Sequence, residues 1–485
     1  MAVALSHLLS SGPVPPAIAI KGLTADSREV RPGFLFAALK GEKADGTAFV
    51  DEAIARGAVA VLAAPGTVAP KDHVHILYDD NPRRRLALMA ARFYGDQPAL
   101  TAAVTGTNGK TSVAIFAARL WQVLGRSAAS LGTLGIGGVE VDYKPRLTTP
   151  DAVTLHRALA DIRHAGIDRL VLEASSHGLL QHRLDGLRIT LGGFTNLSRD
   201  HLDYHGNFEN YLYAKLRLFG EVMPPGSAVA INMDGGHAAD VEALCWARGH
   251  RIIRVGSGDD VDIRLVSRQP AGNGQDIVLS HEGRRYEARL DLIGDFQASN
   301  ALVAAALVIA SGEDPVRVFA ALPQLIGAPG RMQFVSSHPS GASIFVDFAH
   351  TPDALRAALV AVRHHTQGRV IVVFGCGGDR DAGKRLPMGA IAAELADVAI
   401  VTDDNPRSEK PAGIRRQVMA GCPGGLEIGD RITAIRRAVA MLRPGDRLLV
   451  AGKGHERGQT IGDRVLPFDD ADQIRLAVGA LAEAV

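Results

Sequence analysis

The residues best suited to chemistry are Gly106-Thr107-Asn108-Gly109-Lys110-Thr111-Ser112. Glycines let backbone N–H groups close around phosphate oxygens at a helix N-terminus. Lys110 can neutralise β- and γ-phosphates, and the Thr111 hydroxyl can ligate Mg²⁺. The spacing departs from the common phosphate-loop pattern, because Val104 stands where the first glycine usually falls. A plain Gly-Lys turn is the bland alternative, but the strand-like run before it and the helical run Val113 to Leu124 after it favour nucleotide binding. A second string, Glu173-Ala174-Ser175-Ser176-His177-Gly178, follows the strand-like Arg169 to Leu172. Its Glu173 can hold Mg²⁺ directly or through water, or merely cap the next helix. The stretch Phe194 to Gly206 is dense in ionisable groups, including His201, and could carry a second Mg²⁺. Lys215, on the amphipathic run Tyr211 to Leu216, reads on its own as a surface lysine.

Three further loops follow apparent strands near the C-terminus. They are Gly375 to Asp381, Thr402 to Arg407 and Gly452 to Glu456. Mixed Asp, Glu and Arg side chains there would suit a zwitterion carrying an ammonium and carboxylates. The first of them lacks the full G-x-G-x-x-G spacing and reads as a tight turn, with Cys376 as its small residue.

These loops need elements to hold them. Strand-like runs at Leu100 to Val104, Arg169 to Leu172, Val370 to Phe374, Val398 to Val401 and Arg447 to Val450 alternate with Ala/Leu/Arg helical runs. That alternation predicts βαβ units and parallel sheets, with ligands at the carboxyl ends of the strands. Turn-rich stretches at Tyr94 to Pro98 and Pro323 to Gly330 divide the chain into segments 1–97, 98–330 and 331–485. Arg251 to Arg289 alternates like antiparallel strands turning at Ala271 to Gly274. Arg83-Arg84-Arg85 reads as a solvated helix face, and Ala301 to Ala310 as one buried helix.

Composition narrows the classes. The 485 residues carry 53 Lys+Arg against 52 Asp+Glu, which argues against an unspecialised nucleic-acid or membrane-surface binder. Aromatic residues are only 5%, too few for a base-stacking platform. No apolar run is long enough for a membrane span, and no signal peptide is evident at the N-terminus. Three cysteines without CxxC spacing argue against a disulfide framework or a zinc site. A soluble cytoplasmic monomer is expected.

Taken together, these strings resemble the Mur ligase family over nearly the whole chain. The blocks that carry the resemblance are Asp26-Ser27-Arg28, Gly106 to Thr111, Glu173 to Gly178, Phe194 to Gly206, Gly330-Arg331-Met332, Asp347 to Asp353 and the three C-terminal loops. The resemblance implies an α/β protein of three domains: 1–97 binding a UDP-sugar, 98–330 a P-loop ATPase domain with a parallel and a small antiparallel sheet, and 331–485 a Rossmann-like domain binding the amino acid. It implies an ATP-dependent amide ligase of peptidoglycan precursor synthesis that works through an acyl phosphate. Asp404-Asn405-Pro406-Arg407 points to addition of meso-2,6-diaminopimelate to UDP-N-acetylmuramoyl-L-alanyl-D-glutamate. An L-lysine-adding or other amide ligase of the family is the alternative.

The resemblance also implies residue roles. Ser27, Glu42, Lys43 and Ala44 would line the uridine pocket. Thr148, Thr149, Ser175, Gln181 and Arg183 would hold the muramoyl dipeptide. Gly106, Thr107, Asn108, Gly109, Lys110, Thr111, Ser112, Asn300, Arg331, Asp347 and His350 would contact ATP. Thr111 and Glu173 would hold one Mg²⁺, and His201 with a carbamylated Lys215 a second. Lys110, His201 and Lys215 would be the catalytic positions. Arg380, Asp404, Asn405, Pro406, Arg407, Gly452 and Glu456 would bind diaminopimelate.

Overall fold

The computed structural model describes residues 2–9, 17–41, 44–69, 73–141, 143 and 147–482. It divides into two compact units, 1–262 with 303–318, and 263–302 with 319–485.

In the first unit, the strands Gly22–Thr24, Phe34–Ala37, Ala58–Ala63 and His75–Tyr78 lie side by side and parallel. The helix Pro82–Tyr94 covers them with Leu86, Met89 and Phe93 inward, as its apolar spacing requires. Asn81 caps that helix through the Arg84 N–H, and Pro82 fills the first position, where no N–H is needed. Its outer arginines do more than face solvent. Arg84 pairs with Asp185 at 3.0 Å and Arg85 with Asp79 at 2.6 Å.

The central strands of this unit run in the order Arg251–Gly256, Ala228–Asn232, Ile189–Phe194, Leu100–Thr105, Arg169–Glu173 and Ala128–Gly132. All are parallel, so each needs a crossover. The helix Lys110–Val123 buries Phe116 and Trp121. The Trp121 indole N–H finds Ser311 Oγ at 3.0 Å, satisfying its polar edge inside the core.

In the second unit, Ile263–Ala271, Gly274–His281 and Arg284–Leu290 form an antiparallel meander. Only this part of the expected antiparallel stretch is antiparallel. Arg251–Gly256 instead pairs parallel with Ala228–Asn232 after the helix Ala238–Ala247, because a crossover helix rather than a hairpin joins the two strands. The helix Asp295–Ala310 contains the Ala-rich run, counts with the first unit from Val303 on, and buries Ala301 to Val308.

The remaining strands of the second unit lie in the order Gln333–Ser337, Ser343–Asp347, Arg447–Ala451, Val370–Phe374, Val398–Val401 and Leu426–Glu427. All but the first pair are parallel. Fully buried apolar strands such as Val370–Phe374 carry helices on both faces. This order sets the ends of Arg447–Ala451, Val370–Phe374 and Val398–Val401 next to one another. No helix among the described residues is long and apolar enough to cross a membrane.

Candidate functional site

The phosphate loop joins Leu100–Thr105 to the helix Lys110–Val123. Gly106 has φ +149°, and a Cβ there would sit 1.9 Å from Thr195 Oγ1, so only glycine fits. The Lys110 ammonium folds back and donates to the Gly106 and Thr107 carbonyls, each at 2.9 Å. Thr107 Oγ1 lies 3.0 Å from the Tyr211 hydroxyl and accepts the Ser198 N–H at 3.0 Å, tying the loop to the Phe194–Gly206 stretch.

Thr111 Oγ1 donates to Glu173 Oε2 at 2.9 Å. The Thr133 N–H donates to Glu173 Oε1 at 2.8 Å, and the Thr133 hydroxyl donates to Oε2 at 3.2 Å. Glu173 is 2% exposed, and among the described residues no cationic side chain pairs with it. Buried carboxylates are normally paired with a cation or bind a metal. A carboxylate and a hydroxyl oxygen side by side suit Mg²⁺, which takes hard oxygen ligands. The donor set therefore fits the ion.

Lys215 is not the surface lysine its helix suggested. It is 2% exposed and donates to the Gly106 carbonyl at 2.7 Å. Its Nζ also stands 4.5 Å from the centre of the Tyr211 ring. Burial, helped by nearby Lys110, holds its amine well below the usual lysine range. His201 has a left-handed backbone, φ +53°, and its Nε2 is 3.5 Å from Asp200 Oδ2. The His201 and Tyr211 ring centres are 6.3 Å apart, so Lys215 and His201 both approach Tyr211. Among the described residues no group of three or more His, Cys, Asp or Glu is gathered as a metal cluster.

The residues expected to hold the dipeptide form one hydrogen-bonded chain. Thr148 Oγ1 is 3.1 Å from Thr133 Oγ1, and Thr149 Oγ1 donates to the Glu173 carbonyl at 2.7 Å. Ser175 donates its N–H to Thr149 Oγ1 and caps the next helix through Gly178 N–H. Arg183 donates to the Thr149 carbonyl at 2.6 Å and to Gln181 Oε1 at 2.7 Å. In the 3-10 turn Ser27–Glu29 after the strand Gly22–Thr24, Ser27 is buried and donates to Glu52 at 2.9 Å. Ala44 is exposed, while Glu42 and Lys43 lie outside the described residues.

In the second unit, Asn300 donates to Gln297 at 3.4 Å, and Gln297 donates to the Arg331 carbonyl at 3.2 Å. Asp347 accepts the Met332 and Ala349 N–H groups at 2.7 and 2.8 Å. Burial raises its carboxyl pKa, against the pull of Arg331. The Arg331 guanidinium lies 4.4 Å from the Phe348 ring centre, and the His350 ring is 4.5 Å from the same ring. Asn300, Arg331, Asp347 and His350 are thus brought together.

The three C-terminal loops converge as their strand order requires. Arg407 has φ +52°, a costly conformation for a residue with a side chain. It is fixed on both sides: its N–H donates to the Thr460 carbonyl at 3.1 Å, and its carbonyl accepts from Gly462 at 2.7 Å. Its guanidinium donates to the Gly378 carbonyl at 2.8 Å. A Cβ on Gly378 would lie 1.9 Å from the Pro406 carbonyl, so the first two loops meet only through glycine. Asp404 is buried, and its carbonyl accepts from Gln459 at 2.8 Å. Asn405 donates to Glu456 at 2.7 Å. Gly452 donates its N–H to the Asp347 carbonyl at 3.1 Å, whereas Arg380 stays exposed. Cys376 is buried 3.6 Å from the Met388 sulfur, and burial pushes its thiol up to about 12, as befits a packed small residue.

Sequence reasoning missed several supports. Thr133 and Tyr211 had no motif around them. Lys453 is fully buried between two glycines, and that unusual setting was its only signal. Arg431 and Asp470 form a fully buried ion pair at 2.8 Å, and Arg431 also donates to the Ala451 carbonyl at 2.9 Å. Their separation in sequence hides them. The hairpin Gly458–Ile461 with Arg464–Pro467 buttresses Asp404 to Arg407 from outside the strand ends.

Comparison with known proteins agrees with this arrangement. Residues 19–94 match the Mur ligase family catalytic domain, 104–308 the Mur ligase middle domain and 330–454 the Mur ligase glutamate ligase domain. A UDP-N-acetylmuramoyl-L-alanyl-D-glutamate–2,6-diaminopimelate ligase from Bradyrhizobium diazoefficiens is 51% identical over 472 residues, 96% of each chain. One of the same name from Chelativorans is 50% identical over 469 residues, again 96% of each chain. A solved structure of a ligase of that name superposes with a TM-score of 0.73 at 32% identity, covering 99% of this chain and 100% of the other. With the phosphate loop, the buried Glu173 and the three convergent loops in place under those matches, the chain belongs to the Mur ligase family.

Proposed function

We propose that the chain joins meso-2,6-diaminopimelate to UDP-N-acetylmuramoyl-L-alanyl-D-glutamate in an ATP-driven step of peptidoglycan precursor synthesis. Family membership and 51% identity to a ligase named for these substrates support the reading. The observation that carries it is the Asp404 to Arg407 loop, held against Glu456 with the Arg407 backbone fixed in the left-handed region.

The chemistry follows from charge. A carboxylate is a poor electrophile for an amine. Transfer of the γ-phosphoryl group of ATP to the terminal substrate carboxylate gives an acyl phosphate and ADP. The amine of the incoming amino acid then attacks the acyl carbon through a tetrahedral intermediate, and phosphate leaves. Phosphoryl transfer asks mainly for positioning and neutralisation of charge.

Gly106 to Ser112 cradle the phosphates, and Lys110 supplies a cation where anionic oxygens crowd. Asn300, Arg331, Asp347 and His350 hold the rest of the nucleotide. Thr148, Thr149, Ser175, Gln181 and Arg183 orient the dipeptide, with Ser27, Glu42, Lys43 and Ala44 at the uridine. Arg380, Asp404 to Arg407, Gly452 and Glu456 take the amino acid. The family is ATP-dependent and uses Mg²⁺. Thr111 and Glu173 would hold one ion and His201 with Lys215 a second, which when bound supply further positive charge to the phosphates. Lys215 serves there as a carbamate. Its suppressed basicity leaves the free amine that reacts with CO₂, and the product is an anion rather than a cation. The segments 1–97, 98–330 and 331–485 divide these tasks.

The test is ADP release with the UDP-muramoyl dipeptide and a panel of amino acids. Release should require diaminopimelate. Equal use of lysine would favour the lysine-adding alternative, and ATP turnover indifferent to the amino acid would reduce the chain to a plain ATPase.

A further inference from the structure

Lys453 is a cation with no exposure at all, lying in the loop after Arg447–Ala451. A buried ammonium is costly unless it is paired and hydrogen-bonded. Here it donates to Asn405 Oδ1 at 3.1 Å and to Glu456 Oε2 at 3.1 Å. Both partners belong to the set assigned above to the amino acid, and the resemblance gave Lys453, though it lies in the same loop, no role of its own. We propose that Lys453 is a positioning and specificity-determining residue for the incoming amino acid, orienting Asn405 and Glu456 and cancelling the Glu456 charge. The proposal rests on the diaminopimelate reading of that pocket.

The hydrogen-bond inventory argues the first half. Asn405 Oδ1 accepts from Lys453 and from the Thr460 N–H at 2.9 Å. Two donors fill the two lone pairs of that oxygen. A flipped amide would aim its NH₂ at both donors, so the orientation is locked. The Asn405 NH₂ is thereby directed to Glu456 Oε2 at 2.7 Å. Oε2 is taken twice, by Asn405 and Lys453, while Oε1 accepts no hydrogen bond among the described residues. The Glu456 side chain is 35% exposed, so one oriented acceptor remains for a ligand ammonium.

Charge argues the second half. Diaminopimelate has two ammonium and two carboxylate groups and is neutral overall, whereas lysine lacks one carboxylate and is a cation. An uncompensated Glu456 would reward the extra positive charge of lysine. Lys453 removes that reward while leaving the acceptor in place. Arg407 recognises the missing carboxylate, and Lys453 discourages the surplus cation, so rejection draws on a lost attraction and an added penalty.

The test is steady-state kinetics of Lys453→Met in the full chain, with diaminopimelate and lysine varied in turn. The KM for diaminopimelate should rise about 30-fold or more, the scale for truncating one partner of a buried charge pair. The KM values for ATP and the nucleotide substrate should hold, and the preference for diaminopimelate over lysine should narrow. Adding Glu456→Gln to Lys453→Met should restore much of the lost discrimination, because neutrality returns. A purely structural lysine would not give that rescue. If the methionine variant does not fold, Lys453→Gln keeps a donor to Asn405 and takes its place. Unchanged diaminopimelate KM and preference in a folded variant, or failure of both variants to fold, would overturn the proposal. Failure of the unaltered chain to use diaminopimelate would instead sink the functional reading beneath it.

Discussion

The phosphate loop and the amino-acid loops solve the same problem, a charged ligand at the end of a parallel strand, in opposite ways. Around the phosphate loop, Glu173 is the buried charge left for a metal, and the groups around it are neutral or shed charge. Thr107, Thr111, Thr133 and Tyr211 supply hydroxyls, and the Lys215 amine is driven toward its neutral form. Around the amino-acid loops, charges are kept and paired. Lys453 meets Glu456, Arg385 grips Glu409 at 2.7 and 2.9 Å, and Arg431 meets Asp470. Burial pulls Arg431 down, but Asp470 beside it leaves the guanidinium above its ordinary range. Phosphate brings its own charge and needs amide N–H groups and a metal. A zwitterion needs both signs at fixed places, and fixed charges need buried partners.

The largest effect should come from breaking a pair in the charged region. Asp470→Ala leaves Arg431 buried and unpaired, which costs roughly 3–5 kcal/mol of stability. Replacing both residues with apolar ones of similar volume should recover most of it. Chemical unfolding of the single and double variants measures this. Equal losses in both would mean that packing, not charge, is what the pair provides.

Lys110→Ala attacks the other region through function rather than stability. Turnover should fall by about 10²–10³-fold, the scale for losing one group that stabilises transition-state charge. The circular dichroism spectrum should be unchanged. Near-normal turnover would make the lysine a structural clasp on the Gly106 and Thr107 carbonyls.

Arg407→Ala should raise the KM for diaminopimelate about 30-fold, at the low end for a broken charge pair, since the guanidinium is only half-buried. The KM for ATP should stay put, which separates the two regions kinetically. Arg407 can pair bidentately with the distal carboxylate that lysine lacks. A variant with unchanged preference between the two amino acids would remove Arg407 from recognition.

The last effect, felt only in acid, sharpens the contrast in buried charge. His156, in the first unit, is buried and lies 3.2 Å from the Asp185 carbonyl. Burial lowers its pKa from 6.5 to about 4. Between those values the unfolded chain takes up a proton that the folded chain refuses. This contribution is therefore complete above pH 6.5 and falls as pH drops toward 4. The loss is roughly 2–3 kcal/mol. Thermal midpoints across that window should slope less in His156→Gln. Parallel slopes in the variant and the parent chain would show that other groups carry the acid sensitivity.

What the sequence determined by itself is whatever depends on neighbours along the chain. Gly106 to Thr111 announce a phosphate loop because a strand, a tight glycine turn and a helix start are consecutive. The parallel strands were legible from their apolar runs, and their order brings the ends of Val370–Phe374, Val398–Val401 and Arg447–Ala451 together. The same local logic misled at Arg251–Gly256, where alternation looks alike in either kind of sheet and only pairing decides. Tertiary structure alone decided which charges are buried. Lys215 on its amphipathic helix and Lys453 in its glycine turn look like any surface lysine, since burial depends on what packs over a residue. Arg431 and Asp470 find each other across 39 residues, a pairing that no local pattern encodes. Distance along the chain carries no information about a partner's position in space, so the ion pairs supporting the amino-acid loops become visible only once the sheet order has folded them together.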